Sequence, residues 1–392
     1  MLMTKEASFD NRWQEFLFQD QAQRWIFFLT AALLLVGEIL VTSASLEYAQ
    51  KFKSTSNYFW LRHTVYLMLS IIIGCFAYRL PLSFWEKWGA RALLLSFFLL
   101  FAVWIPGLGI KMNGSHRWIR LPGFTLQPSE FVKLFVVVYL AGYLVRKREE
   151  VLNTFIGFVK PFIVLLLIVF LLLCEPDFGA AVVIMGSAMS MIFLSGARIS
   201  QFILLFGLLL IAGILLVVFE PYRMGRVFSF VSPWEDPYNK GYQLTQSLIA
   251  IGRGEWFGVG LGNSVQKLFY LPEAHTDFVY AVLAEELGLV GAVCVILAFV
   301  GLFWASFRIG IQAIRKEFFF AGYLAWGIGM LIGLQAMINI GVSLGVLPTK
   351  GITLPFVSYG GTSLVVSVTL SALLLRIGTE VSRKGSGALR KV

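Results

Sequence analysis

With 58% hydrophobic residues over 392 positions, only 14% charged and a mean hydropathy of +0.79, the chain is too apolar for a soluble domain; it reads as an all-α polytopic membrane protein. The net charge of +10 fits basic inner loops facing anionic lipid, and nucleic acid is not an expected partner. Cys75, Cys174 and Cys294 show no CxxC or Cys/His spacing, which excludes a zinc motif; all three lie in apolar stretches and read as buried thiols.

In chain order, residues 1–24 carry charges from Lys5 to Arg24 and no apolar core, so they read as a polar tail and not a signal peptide. Ten stretches then reach the roughly 20 residues that about 30 Å of hydrocarbon demands. They are 25–46, 59–79, 90–108, 127–146, 154–174, 178–196, 200–219, 277–303, 317–344 and 356–377. An even count returns both termini to one side. More than half of the 32 lysines and arginines fall on the segments shared with the N-terminus, which makes that side cytoplasmic. The expected organisation is a tail over 1–24, a ten-helix domain over 25–378 and a cytoplasmic tail over 379–392. Three outer loops stand out: 109–126, 345–358, and the large extracytoplasmic loop 220–276 between helices seven and eight. The last is long enough to be a functional element.

Ionisable residues at membrane depth are costly and default to functional hypotheses. Glu130 and Lys133 follow Pro128 in the first turns of the fourth span, three apart and so on one helix face. They read either as an ion pair pinning helices or as a polar pocket for a charged ligand. Asp277, in LPEAHTDF at the start of the eighth span, reads as a helix cap or as a carboxylate poised to take a proton at the membrane–water boundary. His275 is a second acid–base candidate or a hydrogen-bonding histidine. Glu285 and Glu286, two turns deeper, read as internal hydrogen-bonding groups. The run from Pro348 through Lys350 and Pro355 to Ser358 breaks helix, and such backbone is tolerated at membrane depth only inside protein or beside a wet cavity. Lys350 is a candidate for an anionic headgroup or a snorkelling lysine. Arg117 and Arg120 around Trp118, and Arg223 and Arg226 after the seventh span, suit bidentate phosphate recognition or interface anchoring.

Three longer blocks carry a family resemblance. LQPSEFVKLFVVVYLAGYLVRKR at 126–148, LPEAHTDFVYAVLAEELGLVG at 271–291 and NIGVSLGVLPTKGITLPFVSYGGTS at 339–363 resemble the SEDS family of shape, elongation, division and sporulation proteins. With the ten-span layout, the resemblance covers almost everything after residue 24. Thr349 and Lys350, where elongation members usually carry apolar residues, and the polar N-terminal extension are similar to the division branch.

The resemblance implies polymerisation of lipid II into glycan strands at the outer face of the bacterial cytoplasmic membrane, at the septum. The family's essential carboxylate falls at Asp277, its polar pair at Glu130 and Lys133, and its proline–lysine loop at Pro348, Lys350 and Pro355. A dedicated transpeptidase, a class B penicillin-binding protein, is the implied partner, with other division membrane proteins around it. In the expected chemistry Asp277 is the general base, and Lys133, Arg226 and Lys350, with Arg117 and Arg120 behind them, face the departing pyrophosphate. A divalent cation, magnesium or manganese, is an optional assistant there, and no dense carboxylate cluster requires one. Two other classes remain open: a lipid II flippase, and a non-catalytic division scaffold. The lack of a visible internal repeat counts against a transporter.

Overall fold

A long apolar run in lipid has no water to satisfy its backbone, and the helix is the local solution. The computed structural model describes residues 20–53, 57–112, 115–219, 224–225, 228, 230–239, 241–349 and 351–389. Its helices are α1 (Gln21–Lys53), α2 (Tyr58–Arg79), α3 (Leu82–Ala102), α4 (Pro128–Arg146), α5 (Arg148–Asn153), α6 (Phe155–Cys174), α7 (Phe178–Leu194), α8 (Ile199–Val218), α9 (Tyr242–Gly254), α10 (Val279–Arg315), α11 (Phe319–Ser343) and α12 (Gly361–Leu389). Eight of these (α1, α2, α4, α6, α8, α10, α11 and α12) are long and apolar enough to cross a membrane. The 17-residue α7 and the 21-residue α3 take the two other expected positions. The third element is displaced from its expected span of 90–108. Pro81, in extended backbone, starts the helix at Leu82, and the early charges Glu86, Lys87 and Arg91 hide that start from a hydropathy reading.

The segment 109–126, expected as an outer loop, carries an antiparallel sheet in the order β1 (Gly109–Met112), β2 (Ser115–Leu121), β3 (Phe124–Leu126). Ile119 pairs with Gly109 on one side and Leu126 on the other, and the sheet leads directly into α4.

α4, α11 and α12 are the most buried spans, at 72%, 67% and 83% of their apolar windows, so the polar residues they carry are held inside protein. None of the residues of α8 is buried. The three cysteines, read as buried thiols, are exposed on helix flanks instead. Lipid-facing and core-facing sides of a membrane helix are equally apolar, so hydropathy does not tell them apart.

The longest helix is not continuous. α10 runs for 37 residues but breaks at Gly288, whose φ is +66°. At the break the ladder bonds from Leu289 and Val290 to residues 285 and 286 are replaced by the loop after α9. Leu289 N–H donates to Glu255 O (2.8 Å) and Val290 N–H to Trp256 O (3.1 Å), while Glu285 O and Glu286 O accept from Val259 N–H (3.0 Å) and Gly260 N–H (3.1 Å). The approach is so close that a Cβ on Gly288 would collide with the Gly258 and Phe257 nitrogens.

Candidate active site

The turn between α6 and α7, the starts of α4 and α10, and the connection from α11 to α12 meet at one end of the bundle. Asp277 ends the loop that returns to α10. Its N–H donates to Glu273 O (3.1 Å), and Phe278, not Asp277, takes the cap position, with no side-chain capping bond. The carboxylate faces the connection from α11 to α12: a Cβ on Gly351 would lie 2.6 Å from Asp277 Oδ2. A residue without a side chain there leaves the carboxylate room beside the backbone.

Two amides on α11 tie the Asp277 backbone to the other candidate residues. Asn339 Nδ2 donates to Asp277 O (2.8 Å) and Ile352 O (2.6 Å). One turn earlier, Gln335 Nε2 donates to Thr353 O (3.0 Å), while its Oε1 accepts from Lys133 Nζ (2.7 Å). Lys133 also pairs with Glu130 at 2.8 Å, both side chains nearly sealed from solvent. Thr353 Oγ1 in turn meets Ser363 Oγ at the start of α12 (2.8 Å). The pair therefore joins α4 to α11 and also forms one polar path to the Asp277 loop. Gln335, Asn339 and Thr353 were not among the residues singled out from sequence. Their signal was the polar stripe Gln335, Asn339, Ser343 at helical spacing in an otherwise apolar span.

His275 is buried among Tyr48, Phe59 and Tyr359, with ring centroids 5.1–5.6 Å apart. Its carbonyl accepts from Tyr359 N–H (2.9 Å), which fastens the loop before Asp277 to the connection before α12. Burial holds the imidazole below its ordinary value of 6.5, with Glu273 opposing, and burial pushes the Tyr359 phenol up to about 12. A neutral, enclosed histidine suits the hydrogen-bonding role better than proton exchange. Pro348 is half-buried and Pro355 buried in that connection, and Ser358 Oγ accepts from Leu354 N–H (2.8 Å), so this serine shapes the loop itself.

Arg117 does not point at a free cleft. Its Nε donates to Glu175 O (3.1 Å) and its Nη2 to Pro176 O, clamping the turn between α6 and α7. That turn carries Asp177, which caps α7 through Ala180 N–H (3.2 Å) and accepts from Ser129 Oγ (2.9 Å), next to Glu130. Glu175 is buried, and neither carboxylate oxygen is hydrogen-bonded to a described residue. Burial first, then the neighbouring Asp177 carboxylate, push it up to about 8, with Arg117 pulling the other way. Arg223, Arg226 and Lys350 lie outside the described residues. Among the described residues no group of three or more His, Cys, Asp or Glu side chains could hold a metal ion.

The fold and this polar site define a multi-pass membrane protein whose polar candidate groups converge at one end of its helix bundle. The chain belongs to the FtsW/RodA/SpoVE family, described as cell cycle proteins, whose model matches residues 23–383. A protein of Pseudomonas fluorescens (strain SBW25) named probable peptidoglycan glycosyltransferase FtsW is 51% identical over 349 residues, spanning 89% of this chain and 86% of that one. A protein of the same name from Allochromatium vinosum is 48% identical over 356 residues, spanning 91% and 89%. Among solved structures, a chain from work described as the structural coordination of polymerization and crosslinking by a peptidoglycan synthase complex superposes with a TM-score of 0.74 at 26% identity, covering 91% of this chain and 97% of that one. The crystal structure of the Thermus thermophilus rod shape determining protein RodA gives 0.67 at 25% identity, covering 91% and 96%.

Proposed function

We propose that this chain is a peptidoglycan glycosyltransferase that polymerises lipid II into β-1,4 glycan strands during septal wall synthesis, with Asp277 as its general base. Its relatives at about 50% identity over most of its length are named for that activity. The observation that carries the residue assignment is the convergence of Asp277, the 351–353 backbone and the Glu130–Lys133 pair through Asn339 and Gln335. Both termini are then cytoplasmic and the site faces outward.

Asp277 takes the proton of the acceptor 4-hydroxyl as that oxygen attacks the anomeric carbon of the donor. The new carbon–oxygen bond forms on the face opposite the breaking bond, whose electron pair departs with the polyprenyl pyrophosphate. An α-linked donor thereby becomes a β-1,4 link. Lys133 gives two hydrogen bonds among the described residues, its third ammonium donor is assigned to the leaving group, and Arg226 and Lys350 remain candidates for the same charge. Arg117 acts through the turn it clamps, and Arg120 lies further along the same strand, β2. A divalent cation, magnesium or manganese, would if bound assist at the pyrophosphate with one or two protein carboxylates; among the described residues no group of three or more His, Cys, Asp or Glu side chains demands one. A class B penicillin-binding protein cross-links the product, in keeping with the solved relative from a peptidoglycan synthase complex, and other division membrane proteins are expected alongside.

The test is glycan-strand formation from purified lipid II by the reconstituted protein and its transpeptidase, the latter with its own active site inactivated. Asp277→Asn, at equal membrane abundance, should lower the rate by about 10²–10⁴-fold. Similar rates for both proteins would refute the base assignment. If wild type makes no polymer but moves lipid II across vesicles, the chain is a flippase.

A further inference from the structure

The start of α10 is a half-helix, residues 279–287, isolated between the Asp277 loop and the break at Gly288. Two glutamates precede the break, both fully buried. Glu285 accepts from Ser264 Oγ, Val265 N–H (3.0 Å) and Gln266 N–H (3.3 Å), with the Arg253 guanidinium at 3.8 Å. Glu286 Oε1 accepts from Lys267 Nζ (2.9 Å) and from Ser43 Oγ on α1 (2.6 Å). Lys267 Nζ donates in addition to Gly262 O (2.7 Å) and Ser43 Oγ (2.8 Å). Tyr280 O–H bridges the break to Ala292 O (3.3 Å).

Burying two carboxylates and an ammonium is an expensive way to gain stability, since apolar replacement of such a pair is often neutral or better. What these charges do gain is geometry. Together with the four backbone bonds at the break, they fix residues 255–267 against the half-helix and α1. The chain then needs only ten more residues to reach Asp277. We propose that Glu285, Glu286 and Lys267 are positioning residues for glycosyl transfer, which set where the Asp277 carboxylate stands relative to Gly351 without touching substrate. The proposal rests on Asp277 being the base.

The experiment compares Glu286→Gln, Lys267→Met, the two combined, and Ser264→Ala, in the full-length reconstituted protein with its transpeptidase. It measures thermal unfolding, lipid II affinity without turnover, and kcat and KM for polymerisation. The single charge variants lose stability because each leaves a buried charge unpaired. The double variant recovers the wild-type unfolding temperature, yet its kcat stays roughly ten- to a hundredfold low with KM and lipid II affinity unchanged, the signature of a displaced base. Ser264→Ala, which removes one bond to Glu285 and leaves no new charge, lowers kcat severalfold at unchanged stability. A double variant that regains both stability and kcat would overturn the proposal, and should that variant not fold, Ser264→Ala with wild-type kcat would do so. Asp277→Asn is run alongside: if it polymerises like wild type, the base assignment has failed by itself, whatever the clamp variants do.

Discussion

Asn339→Leu separates the scaffold of the site from its chemistry. The side chain is 1% exposed and gives two hydrogen bonds, to Asp277 O and Ile352 O. Leucine keeps the branched outline at a larger volume, so the variant adds some crowding while both carbonyls lose a donor where water cannot replace it. At about 1–2 kcal/mol for each bond lost, the variant should be destabilised by roughly 2–4 kcal/mol. No reacting group is removed, so any loss of rate comes from the carboxylate and the 351–353 backbone drifting apart, and roughly ten- to a hundredfold in kcat is expected. Asn339→Asp is the sharper control. It keeps the shape but aims an acceptor at two carbonyls beside a second carboxylate, so it should be worse than leucine in both unfolding temperature and polymerisation rate. Both are read in nanodiscs, with unfolding followed by intrinsic fluorescence and product by strand length. If Asn339→Asp matches wild type, the amide does not donate as described and the reasoning fails.

Buried charge and the helix break give further tests. Lys133→Met should cost about 3–5 kcal/mol by leaving Glu130 buried and unpaired, whereas Glu130→Gln with Lys133→Met should unfold near wild type but polymerise poorly; recovery of both in the double variant would make the pair purely structural. Glu175 titrates near 8 when folded against 4.5 in the open chain, so its contribution is fully present below about pH 4.5 and is lost as pH rises toward 8. Glu175→Gln should therefore gain a few kcal/mol over wild type between pH 5 and pH 8.5, on the order set by a shift of this size; parallel unfolding curves across that range would refute it. Gly288→Ala should lower membrane abundance and loosen the loop after α9, seen as faster hydrogen exchange of the amides at 259, 260, 289 and 290, because the backbone has no space for a Cβ there.

Much of this architecture was legible in the sequence because it follows from length and polarity. Each of the ten apolar stretches overlaps a helix among the described residues, eight of these helices being long and apolar enough to cross a membrane, and Pro128 starts α4 as the sequence leads one to expect. Asp277, Glu130 and Lys133 stood out because ionisable groups near lipid need a reason. What stayed hidden depends on three dimensions. The strands at 109–126 are short and gain their order from pairing, not from local pattern. Asn339 and Gln335 are neutral, and their partners lie more than 60 and 200 positions away, so a linear pattern does not mark them. Arg117 was readable as a phosphate ligand only while the carbonyls of 175 and 176 were unseen. The exposed cysteines show the same limit, since an apolar stretch packs one face on the core and leaves another outside it.

The broken helix also gives the Asp277 carboxylate, the proposed base, a firm footing. A continuous α10 would hold Asp277 only through its own ladder, at an end where four N–H groups lack partners and fraying is easiest. Breaking the helix at Gly288 exposes backbone groups that lipid could not satisfy, and the loop after α9 supplies their partners from within the protein. The short half-helix is thereby held at both ends: by residues 255–267 at the break, and by Asn339 and Tyr359 at the carboxylate. Rigid placement of a base within a fraction of an ångström is worth more to the rate than to folding. The residues around Asp277 should accordingly divide by assay, with clamp variants changing turnover at constant lipid II affinity and pocket variants such as Lys133→Met changing affinity as well.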